Sequence, residues 1–170
     1  ALSAQATTPL WLRDARISPD GTSIAFCYKG DIYTVNSQGG NARQLTTQSS
    51  YECTPVWSPD SKKIAFASDR DGNFDIFIMS ADGGNAKRLT KNSVTELPSA
   101  FTPDGKHVVF SASIQDPAQS VLFPTSALSE LYQVPVEGGR TRQIIATPAE
   151  AVCYIKDGAS FLYKNKKGFE

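Results

Sequence analysis

Short apolar bursts, separated by polar turns, recur along this chain in a fixed order. Ser18-Pro19-Asp20-Gly21 is followed by Ile24-Ala25-Phe26, Asp31-Ile32-Tyr33, Gly39-Gly40 and Leu45-Thr46. The phrase returns as Ser58-Pro59-Asp60-Ser61, Ile64-Ala65-Phe66, Asp75-Ile76-Phe77, Gly83-Gly84 and Leu89-Thr90. A third copy reads Thr102-Pro103-Asp104-Gly105, Val108-Val109-Phe110, Glu130-Leu131-Tyr132, Gly138-Gly139 and Ile144-Ile145. A fourth opens with Lys156-Asp157-Gly158 and Phe161-Leu162-Tyr163. Each copy predicts four strands. In the second copy they are Val56-Trp57-Ser58, then Lys63–Ser68, then Asp75–Ser80, then Ala86–Thr90, whose Lys87 and Arg88 suit a solvated edge. β-branched and aromatic residues fill the middle pair, and a Pro-Asp turn and a Gly-Gly hairpin punctuate them.

Pro19 and Pro59 are 40 positions apart, and Pro59 and Pro103 are 44 apart. A period of about 40–45 residues with four strands is that of a propeller blade. A β-solenoid coil is usually shorter, and a sandwich does not restate the same turn residues in order. The fold class expected is all-β: propeller blades of four antiparallel strands, about three and a half of them, in an incomplete propeller. Blades are expected at 14–46, 54–90 and 98–146, with the start of a fourth at 151–170, inside a partial propeller spanning 7–170. The connectors Thr47–Cys53 and Lys91–Leu97 read as polar inter-blade loops. Propellers typically need about 4–8 blades to close. The chain therefore reads as a piece of a longer protein, with two copies closing one ring as the alternative. Self-association through open blade edges is a further expectation.

Composition narrows the partners. With 17 basic and 17 acidic side chains the formal charge is zero, which offers no footprint for nucleic acid. No apolar run approaches the ~18 residues of a membrane span. Residues 1–6 hold Ala4-x-Ala6, the small-residue pattern of a signal-peptidase site, which would make Thr7 the mature start and place the protein in the periplasm or outside the cell. Cys27, Cys53 and Cys153 lack metal spacing and read as free thiols. A Cys27–Cys53 bridge between adjacent blades is geometrically conceivable.

Catalytic, cofactor and metal residues are all read as absent. Asp69-Arg70-Asp71-Gly72-Asn73-Phe74-Asp75 departs from an EF-hand, which needs glycine sixth and glutamate twelfth. It reads as a hairpin turn, with Gly72 or Asn73 left-handed and Asp69 accepting from turn N–H groups. His107, the single histidine, reads as a solvated strand residue, since no nucleophile elbow accompanies it. Asp14, Asp20, Asp60, Asp104 and Asp157 recur near turns, and repetition argues for structure. The inner-strand candidates are Arg16-Ile17-Ser18, Val56-Trp57-Ser58, Ala100-Phe101-Thr102 and Cys153-Tyr154-Ile155. The insertion between Ser113 and Ser129 contains Leu122 and Phe123, weak candidates for ligand or partner binding. The alternative is a hairpin extension packed on a neighbouring blade.

The SPDG/SPDS/TPDG, IAF, DIY/DIF/ELY and GG-before-LT units resemble the WD40-like repeats of TolB and of tricorn-type peptidases. Tyr51-Glu52-Cys53-Thr54-Pro55-Val56-Trp57, Phe123-Pro124 and 161–170 are similar to the N-terminal propeller of secreted bacterial tricorn-type serine peptidases. That resemblance implies a non-catalytic segment that guides or filters peptides and scaffolds the assembly, with the catalytic serine in later domains. Peptides, proteins and the remainder of the parent polypeptide are the implied partners. A TolB-like periplasmic binding propeller is the alternative, and a propeller enzyme acting on oligosaccharides is a third. Fold alone does not choose among them.

Overall fold

A computed structural model describes residues 11–114, 129–145, 147–155 and 158–165. The Leu122/Phe123 insertion and the 1–6 segment lie outside the described residues. Among the described residues, fourteen strands form four antiparallel sheets. The first holds β1 (Arg13–Ile17), β2 (Ser23–Tyr28), β3 (Asp31–Asn36) and β4 (Arg43–Gln44). The second holds β5 (Glu52–Trp57), β6 (Lys63–Ser68), β7 (Asp75–Ser80) and β8 (Lys87–Arg88). The third holds β9 (Glu96–Phe101), β10 (His107–Ala112), β11 (Glu130–Pro135) and β12 (Arg142–Ile145). The fourth has β13 (Ala149–Tyr154) and β14 (Phe161–Asn165). These are propeller blades in an incomplete, unclosed arrangement, as the repeat predicts.

The period-2 pleat sends neighbouring residues to opposite faces, so each blade packs on both sides. Ile64, Phe66, Phe77 and Met79 face the first blade and meet Ala25, Cys27 and Ile32. Ala65, Ile76 and Ile78 face the third blade and meet Val108, Phe110, Tyr132 and Val134. Val109 and Leu131 then meet Ala149 and Val152 of the fourth. Phe66 stacks on Phe77 and Phe110 on Tyr132, with centroids 6.0 and 5.8 Å apart. The first blade's leading face lacks this cover. Ile24, at the register of the fully buried Ile64 and Val108, is only half-buried. The trailing face of the fourth is open too: Leu162, at the register of Ala25, Ala65 and Val109, is 67% exposed where those three are fully buried.

The repeated turn residues are accounted for by hydrogen bonds. The Ser18 hydroxyl donates to Asp20 (2.6 Å), whose carboxylate also accepts the Thr22 N–H (2.9 Å). Ser58, Asp60 and Lys62 repeat this, as do Thr102, Asp104 and Lys106. The hydroxyl bond, then the backbone N–H, lowers the pKa of each aspartate. Asp-Ile…Leu-Thr is a second device. The Thr46 and Thr90 hydroxyls accept the Ile32 and Ile76 N–H groups, both at 2.9 Å, linking the third strand to the end of the fourth. In the third blade Glu130 reaches Gln143 instead, at 2.8 Å.

Three details differ from the sequence expectation. The polar connectors end in buried strand residues: Glu52 and Glu96, each the first residue of its blade's inner strand, are fully buried. Their N–H groups donate to Gly30 (2.7 Å) and Phe74 (2.8 Å) carbonyls of the preceding blade, so the strand begins earlier than side-chain polarity suggests. Asp69 accepts the N–H of Tyr51 (2.7 Å) in the connector, while Gly72 takes the left-handed turn position at φ +110°. Arg88 is no edge cation. Its guanidinium bridges Asp71 (3.0 Å) and the fully buried Asp75 (2.6 Å).

Glu96 carries a pH signature. Burial pushes its carboxyl above the ordinary value of 4.5, against opposing hydrogen bonds from Thr90 and Asn92. Its Oε2 has no hydrogen-bond partner among the described residues. A raised folded-state pKa contributes stability at low pH and loses it as pH climbs from the unfolded value through the folded one. Glu96→Gln is therefore expected to gain on the parent as pH rises from 4 to 8 in urea unfolding. A stability difference that stays constant with pH, or that shifts in the parent's favour, would contradict this.

Candidate functional site: the axial concavity

The innermost strands β1, β5, β9 and β13 stand side by side around a concavity of about 1130 Å³. All four inner-strand candidates contribute: Arg16 and Ile17, Val56 and Trp57, Ala100 and Phe101, Cys153, Tyr154 and Ile155 line it. The Pro19, Pro59 and Pro103 turns rim one end. The wall is apolar and aromatic, and among the described residues its only charged side chains are Arg16 and Lys164. Such a surface suits an extended chain with apolar side chains better than a sugar, which needs many directed polar groups.

Local backbone geometry shapes this wall. Asp14 (φ +52°), Thr54 (φ +50°) and Ala151 (φ +52°) are left-handed. Each sits five residues before its blade's Pro position and coincides with a register shift in the inner strand. These are β-bulges, which bend a strand and re-aim its side chains. Left-handed φ is costly for a β-branched residue such as Thr54. The surroundings hold it: the Asp14 carboxylate accepts the Thr54 N–H at 3.2 Å. In the third blade Pro98 occupies the equivalent position and cannot adopt positive φ. The signal for these bulges was the fixed offset from the Pro-Asp turn, which residue type alone does not reveal.

Trp57 is the anchor of the wall. Its indole N–H donates to the Arg16 carbonyl at 2.9 Å, which locks the ring across the seam between the first two blades. Aromatic rings held this way present large rigid area at little entropic cost.

His107 lies elsewhere, half-buried at the start of β10, with its backbone N–H donating to the Thr102 hydroxyl at 3.0 Å. Among the described residues no group of three or more His, Cys, Asp or Glu is arranged to hold a metal ion. No helix there is long and apolar enough to cross a membrane. Cys27, Cys53 and Cys153 are free thiols.

The decisive comparison is with the family described as the tricorn protease N-terminal β-propeller domain, which matches residues 9–169. The chain belongs to that family. Two peptidases are matched only locally. An uncharacterized peptidase, YuxL, of Bacillus subtilis (strain 168) is 41% identical over 56 residues, 30% of this chain and 8% of that protein. Dipeptidyl-peptidase 5 of Porphyromonas gingivalis is 31% identical over 67 residues, 34% of this chain and 10% of that protein. The putative TolB of Agrobacterium tumefaciens superimposes with a TM-score of 0.72 at 27% identity, covering 92% of this chain and 56% of that one. The chain thus spans a tenth or less of the two peptidases and about half of the TolB chain.

Proposed function

We propose that this chain is the non-catalytic propeller segment of a secreted tricorn-like serine peptidase, guiding or filtering peptide substrates and scaffolding the assembly. The observation that carries the reading is the tricorn-propeller family match across residues 9–169. The apolar, aromatic axial wall around Trp57 fits an unfolded peptide. Periplasmic or extracellular location belongs to the same proposal. The test compares the full-length gene product with this segment on unfolded polypeptide. A product of ~100 kDa or more that cleaves, beside an inert segment, supports the reading; domains of ~100–200 residues each would fill such a length. A propeller-sized product without cleavage overturns it.

That second outcome would favour a TolB-like periplasmic binding propeller with no enzyme activity, the reading supported by the likeness to the putative TolB. Under either reading Trp57 is the expected hot spot. Trp57→Ala is expected to weaken peptide binding roughly tenfold or more in a fluorescence titration. Unchanged affinity would move the binding surface off the axis.

A further inference from the structure

Cys27 and Cys53 pack into one apolar cluster at the seam between the first two blades. Cys27 lies in β2 on the face turned to the second blade and is 3% exposed. Cys53, the second residue of β5, is half-buried and packs against the same apolar cluster. Two contacts pin the strands at this point. The Glu52 N–H donates to the Gly30 carbonyl at 2.7 Å, and the Thr54 N–H to Asp14 Oδ2 at 3.2 Å. The same Asp14 oxygen accepts the Cys27 thiol at 3.7 Å. One carboxylate oxygen therefore holds the Cys27 sulfur beside the amide that follows Cys53.

We propose that Cys27 and Cys53 are a latent disulfide pair that exchanges with a small external disulfide and staples the first blade to the second. Access sets the order of events. The Cys53 thiolate attacks one sulfur of the external disulfide, whose S–S bond breaks and releases one thiol after protonation. Cys27 then gives up its proton and attacks Cys53 Sγ of the mixed disulfide, expelling the second thiol. Two protein S–H bonds and one external S–S bond become one protein S–S bond and two small thiols. Burial pushes the Cys53 thiol up to about 11 and the Cys27 thiol to about 12, with the Asp14 charge adding to both. The pair is thus almost wholly protonated at neutral pH. Exchange should be slow there and rise about tenfold per pH unit.

The experiment treats the full-length protein, carrying Cys153→Ser, with oxidised glutathione at pH 7 and pH 8. Acid-quenched samples are mapped as non-reduced peptides. The expected result is a Cys27–Cys53 linked peptide that dithiothreitol reverses and that forms about tenfold faster at pH 8. Cys27→Ser should stop at the Cys53–glutathione adduct, and Cys53→Ser should leave Cys27 unmodified in the folded protein. A parent that stops at the Cys53 adduct, or one in which neither thiol reacts, would overturn the proposal.

Discussion

Arg70→Met is expected to destabilise the propeller segment by about 3–5 kcal/mol, because it strands a buried carboxylate. Arg70 donates to Glu52 Oε1, and its Nε donates to the Ser68 hydroxyl at 2.9 Å. The guanidinium also lies 4.4 Å from the Phe77 ring centroid, so it joins the charged base of the inner strand to the aromatic seam. Glu52 is fully buried, and its Oε2 has no hydrogen-bond partner among the described residues, so Oε1 carries the compensation. A methionine fills comparable volume and isolates the charge term from the packing term. In urea unfolding the midpoint should fall with an unchanged slope. Adding Glu52→Gln should recover most of the loss, since an amide needs no counter-charge. Failure of that second substitution to rescue would assign the effect to packing.

Phe110→Ala should cost a similar amount, about 3–5 kcal/mol. Phe110 is fully buried in the core shared by the second and third blades and stacks on Tyr132. Leu162→Ala, on the open face of the fourth blade, should stay within about 0.5 kcal/mol in this segment, as exposed substitutions do. The contrast separates seams already filled from a face still open. If Leu162→Ala proves as damaging as Phe110→Ala, that face is covered in solution and the segment associates through it. Sedimentation of the same samples distinguishes association from monomer packing.

The fold was legible because the repeat restates side chains that do one local job. Asp20, Asp60 and Asp104 each bind the hydroxyl two residues before and the N–H two residues after, so the turn is written into adjacent residues. Trp57 and Arg16 could be placed on the inner wall from strand order alone. Glu52 and Glu96 could not be read as buried. Their burial depends on carbonyls of the preceding blade, some twenty residues away in sequence. Arg88 misled for the same reason: its partners Asp71 and Asp75 lie on another strand and its turn, and an isolated Lys-Arg pair looks like an edge. The left-handed Thr54 and Ala151 were hidden because their residue types do not ask for that conformation.

Pro98 has a consequence for anything that enters the axis. Three inner strands bend at a left-handed residue, and the third bends with its φ locked negative. The four walls are therefore not rotational copies of one another. A perfectly repeated ring would offer an incoming chain several equivalent poses of equal energy. Under the proposed peptide-guiding role, this one distinguishable wall would give a bound chain a preferred heading.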